Sequence, residues 1–75
     1  MDDKMQKVRT VKRAHEKTWL AMSGVVAVGI GLTQSGEPGI IISTSVAPEK
    51  LRPAIPDSID GVPVELNQTG EISAF

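Results

Sequence analysis

The stretch Val25-Val26-Ala27-Val28-Gly29-Ile30-Gly31-Leu32 restricts this chain more than any other. It carries no charge and no proline, is dominated by β-branched residues, and is too rich in glycine for a helix interior. Period-two alternation places Val26, Val28, Ile30 and Leu32 on one face and Val25, Ala27, Gly29 and Gly31 on the other. The first face can pack a core, and the second admits close approach of a backbone or a flat partner. The stretch reads as a central strand over about 25–33, with Gly29 and Gly31 as packing glycines that let Trp19 or the flanking helix rest on the strand.

Residues before it are helical by composition. From 2 to 22 there is neither proline nor glycine, and Asp2 or Asp3 is placed to cap and to favour the positive end of the helix dipole. Met5, Val8, His15, Trp19 and Met22 form one stripe, interrupted by Lys12 and with Val11 at its side. The expected helix covers residues 3–23, and Gly24 stops it, since glycine accepts the left-handed conformation at a helix end.

Gln34-Ser35-Gly36-Glu37-Pro38 has turn composition, and Gly39-Ile40-Ile41-Ile42-Ser43-Thr44-Ser45-Val46 follows as a second strand, 39–46. So short a connection predicts an antiparallel hairpin. The isoleucine triplet puts apolar groups on both faces, at least one of which must be covered by more than water. Pro48, Pro53 and Pro56 limit residues 48–59 to a short broken helix, with Ser45 as its expected cap and Leu51, Ile55 and Ile59 as its apolar side. Asp60-Gly61 punctuates, and 62–68 reads as a third strand with Val62, Val64 and Leu66 inward and Glu65 and Asn67 outward. Pro63 lacks a donor, which points to a sheet edge or to residues outside the regular ladder. Residues 69–75 form a tail whose Phe75 is expected to pin the terminus to the core or to another subunit.

The valine and glycine strand, the strand after Gly36-Glu37-Pro38, and the phrase Ile55-Pro56-Asp57-Ser58-Ile59-Asp60-Gly61-Val62-Pro63-Val64 with Thr69-Gly70 together resemble a small bacterial domain. That domain precedes trypsin-like serine peptidase domains and also stands alone in short proteins. The resemblance spans roughly His15 to Gly70. It implies a shared fold and an accessory or inhibitory docking role beside a peptidase, brings no catalytic residues, and, with no peptidase domain in this sequence, leads to the expectation that the partner is a separate chain or another copy of this one.

Composition removes much of the available chemistry. With no cysteine and one histidine, His15, the chain offers neither a thiolate metal site nor a hydrolytic triad, whose base would have to be a mid-helix residue. Gly29-x-Gly31 is followed by Gln34 where a dinucleotide fingerprint needs glycine, and it lies within a strand. Asp57 and Asp60 lack the spacing of a calcium loop. Thus no enzyme, cofactor or metal is expected. Residues 1–17 carry net charge plus three and residues 18–75 minus four, a basic helix beside an acidic body. That helix makes weak nucleic-acid binding a further alternative, disfavoured because the strands lack stacking aromatics. With no secretory signal and no membrane span, the expected location is cytoplasmic.

The expected fold is therefore a single α/β (α+β) domain over 1–75, with element order α-β-β-α-β, a three-stranded sheet and both helices packed on one face. Its expected role is a noncatalytic module that self-associates as a homo-oligomer or binds another protein. Ile41, Pro63, Glu65 and Phe75 are the candidate interface residues.

Overall fold

The computed structural model describes residues 3–69. One helix, α1 (Asp3–Leu20), is followed by strands β1 (Val25–Leu32), β2 (Pro38–Thr44), β3 (Ser58–Ile59) and β4 (Val62–Gln68), with a single 3₁₀ turn at Pro48–Lys50 between β2 and β3. The sheet order is β1-β2-β4-β3. β1 and β2 pair antiparallel, β2 and β4 parallel, and β3 and β4 antiparallel. A single helix on a four-stranded mixed sheet thus replaces the three-stranded, two-helix arrangement expected from sequence.

The central strand is β2, not β1. Residues 45–61 leave the end of β2 and return β4 parallel to it, on the side that β1 does not occupy. β1 is consequently an edge. The isoleucine triplet is what makes β2 fit the middle: Ile40 and Ile42 are fully buried, beneath Val8, Val11 and Trp19 of α1 and Leu51 and Ile55 of the crossover. Ile41 points to the opposite face. At about 1.5–3 kcal/mol per fully buried aliphatic side chain, these residues dominate the stability of so small a domain.

The crossover fails as a helix because of its prolines. Leu51 and Arg52 donate to the Pro48 carbonyl, and Ala54 and Ile55 donate to that of Leu51, giving two successive turns in place of a helix. The residue before Pro48 is Ala47, with no side-chain cap, so Ser45 does not serve as one. The β3–β4 connection is Asp60-Gly61, with φ +51° and +81°, the pair of positive values that a two-residue hairpin turn requires. Pro63 stands one residue before the β2–β4 ladder begins at Val64, so no bond of that ladder is lost to it. It marks the start of an interior strand and not an outer edge.

Three further expectations are corrected. α1 ends at Leu20, three residues early, because Met22 N–H bonds to the Trp19 carbonyl and tightens the last turn before Gly24 at φ +97°. Val11, placed at the side of the helix stripe, is in the core at 5% exposure, three residues after Val8. β1 also departs from simple alternation. A bulge between Val25 and Ala27 leaves Val26 opposite no residue of β2, so Val25 turns to the core side while Val26 is 56% exposed.

Candidate functional site

The hairpin turn sets the hydrogen-bonding phase of β1. Thr33, itself buried, donates its N–H to the Glu37 carbonyl at 3.0 Å and its hydroxyl to the same oxygen at 2.8 Å, while Gly36 at φ +86° donates to the Thr33 carbonyl. Pairs along an antiparallel ladder alternate between bonded and non-bonded. Counting back from Thr33 and Glu37, the register makes Gly31, Gly29 and Ala27 the bonded partners of Gly39, Ile41 and Ser43. The N–H and C=O of Val28, Ile30 and Leu32 therefore face outward, along the open side of β1. Pro38 falls opposite Leu32 in a non-bonded pair, where its missing donor costs nothing.

The side chains of Val28, Ile30 and Leu32 point to the helix face, but α1 covers that row incompletely. Val28 packs against the core, Ile30 is 37% exposed and Leu32 is 69% exposed. Ile30 and Leu32, with Val26 and with Leu20, which is 44% exposed at the end of α1, are the large exposed hydrophobics among the described residues. Soluble edge strands are ordinarily protected by lysine, proline or a bulge. β1 has only the bulge, at its beginning, and no charged residue lies between Lys17 and Glu37.

The opposite face holds the sequence-derived candidates. Ile41 and Glu65 are direct partners in the β2–β4 ladder, and Pro63 lies on the same side of β4. Gly29 has nothing within 4 Å of where a Cβ would stand, and Gly31 meets the Ile41 side chain at 3.2 Å. Neither glycine receives Trp19 or α1, which pack on the other face. The close approach occurs instead at Gly39, where a Cβ would lie 2.5 Å from the Pro63 carbonyl oxygen and 2.7 Å from Thr33 Cγ2. Phe75 lies outside the described residues.

Beside Pro63 and Glu65 a polar cleft of about 410 Å³ opens, walled by Gln34 and Ser35 of the hairpin turn and by Arg52 and Asp57 of the crossover. Its groups are largely engaged in holding the fold. Gln34 N–H donates to Glu65 Oε2 at 2.6 Å, and Arg52 donates to the Pro56, Val64 and Ile55 carbonyls at 3.0, 3.2 and 3.4 Å. These bonds tether the hairpin turn and the crossover to β4. His15 is similarly occupied: its ring stacks on Trp19 at 5.1 Å between centroids. On α1, Lys12 pairs with Glu16 at 3.0 Å and Lys4 with Glu37 at 3.8 Å.

Among the described residues no group of three or more His, Cys, Asp or Glu is gathered as a metal site. No helix there is long and apolar enough to cross a membrane. Sequence reasoning missed the open edge of β1 because it placed that strand in the middle of the sheet. The signal that would have found it is the crossover, 17 residues between β2 and β4, long enough to carry the last strand to the free side of β2. Comparison with protein-family models, with curated proteins and with solved structures returned no match, so a functional reading rests on this geometry.

Proposed function

We propose that this chain is a protein-association module that joins its partner by strand addition at β1. The observation that carries the reading is the outward backbone row of Val28, Ile30 and Leu32, whose donors and acceptors have no strand partner among the described residues and lie beside the exposed side chains of Ile30 and Leu32. Main-chain bonds supply affinity in this mode, and the side chains on one face supply selectivity. On β1 itself, Val26, Ile30 and Leu32 together expose the equivalent of about one and a half residues, worth on the order of 2–5 kcal/mol if a partner covered them all. The polar cleft supports this reading less well than the edge does, because its best-placed donors are already bonded within the fold.

A display library of random peptides tests the proposal without assuming a partner. Selected binders should be extended, with apolar residues at alternate positions, and should slow amide exchange at Val28, Ile30 and Leu32 while binding poorly to a Leu32→Lys variant. Binders that leave those three amides exchanging freely would place the docking surface elsewhere and refute strand addition.

A further inference from the structure

We infer that the strand added to β1 is β1 of a second copy, antiparallel and related by a two-fold axis at Ile30, so that two sheets continue as one. This rests on the strand-addition reading above and names its partner. A two-fold joint is isologous, so each contact occurs twice and the strand must complement itself. The outward groups of β1 belong to Val28, Ile30 and Leu32, which are spaced evenly about Ile30. A register centred there sets Val28 opposite Leu32 of the second copy and Ile30 opposite its own counterpart. All six outward groups are then bonded.

The neighbouring registers are poorer for reasons visible in the structure. Centring on Gly29 sets Leu32 opposite Val26, the bulged residue that has already left the regular spacing. Centring on Gly31 sets Val28 opposite Gln34, whose N–H is committed to Glu65. Side chains agree with the choice of Ile30. On the helix face Ile30 and Leu32 cover exposed apolar surface of the other copy, and on the opposite face Gly29 meets Gly31 with nothing within 4 Å of Gly29 to obstruct it. The joint opposes no like charges, since the strand has none. Both basic helices end on one side of the joined sheet, so salt, which screens their repulsion, should leave the dimer intact or tighten it.

The test is sedimentation velocity over a hundredfold dilution at low and high salt, with wild type, Leu32→Lys and, as a control off the strand, Leu20→Lys. Each variant is first checked for retained fold by its amide spectrum. Filtered nuclear Overhauser spectra of mixed labelled and unlabelled protein then read the register. The expected result is a dimer that survives salt and Leu20→Lys, a dissociation constant raised roughly a hundredfold or more by Leu32→Lys, and a contact between the α-protons of Gly29 and Gly31 of different copies.

A dimer insensitive to Leu32→Lys, one that dissolves as salt rises, or one lacking that proton contact overturns the inference. A monomer at every concentration also overturns it, and the peptide selection then decides whether strand addition itself stands. If selected peptides protect the β1 amides, only self-pairing has failed. If they do not, both readings fall together.

Discussion

Replacing Gly39 by alanine tests where the sheet is tight. A Cβ at this position would stand 2.5 Å from the Pro63 carbonyl oxygen, 2.7 Å from Thr33 Cγ2 and 3.1 Å from Pro63 Cγ. A carbon–oxygen contact between strands is ordinarily about 3.3–3.6 Å, so β2 and β4 must part by roughly 0.8 Å just below the first rung of their ladder. Overpacking of a close-packed region costs about 1–3 kcal/mol. Against this, losing a glycine restricts the unfolded chain and returns about 0.4–1 kcal/mol. The expected net loss is about 1–2 kcal/mol, from a total stability of only ~4–11 kcal/mol for a chain this long. In a domain of this size that lowers the melting temperature by roughly 5–15 °C. Gly29→Ala is the internal control: with nothing within 4 Å and no positive φ, it should be neutral or stabilise by up to about 1 kcal/mol. Urea unfolding of both variants at low protein concentration measures the difference. If Gly39→Ala proves as stable as wild type, or Gly29→Ala loses more than Gly39→Ala, the packing argument for the two faces is wrong.

Three other perturbations follow from the same structure. Ile55→Ala empties a fully buried position between the crossover and the sheet and should cost about 2–5 kcal/mol in urea unfolding, close to unfolding the domain. Arg52→Met keeps the aliphatic stem but removes the donors to the Ile55, Pro56 and Val64 carbonyls; about 1–3 kcal/mol should be lost, with faster amide exchange confined to residues 51–59 and the start of β4. Thr44→Val keeps shape at a position with no exposed surface but forfeits the 2.8 Å bond to the Val46 carbonyl, so calorimetry should show a loss of about 1–2 kcal/mol, and no loss would mean that this carbonyl finds another donor.

The docking role beside a peptidase that was expected from the sequence finds no match among known proteins to support it, and the strand addition proposed for β1 is argued from its edge geometry, whatever the partner. A strand without charge, with its apolar row half covered, is an aggregation hazard unless it is occupied. The interior tethers of Arg52 and Glu65 keep β4 and the turns in place around β2. They leave β1 as the exposed flank on which association can act.

The sequence by itself determined the local structure of this protein, because local structure follows from nearest neighbours. Eight uncharged residues, all but Leu32 β-branched or small, make β1 a strand, Gly36 admits the left-handed turn, three prolines deny the crossover a helix, and Val62–Gln68 alternates as a strand does. Even the missed strand β3 had a local sign, Asp60-Gly61 between Ile59 and Val62, which is a hairpin turn signal. Only the tertiary structure decided which strand lies in the middle. Hydrogen-bonded neighbours of β2 are chosen by where the crossover returns β4, and composition does not encode that choice: β1 and β2 both read as runs able to be buried. The same decision determined the candidate site. Once β4 occupied the second side of β2, β1 had no strand beyond it among the described residues, and the phase of the Thr33–Glu37 pair fixed which of its backbone groups face outward.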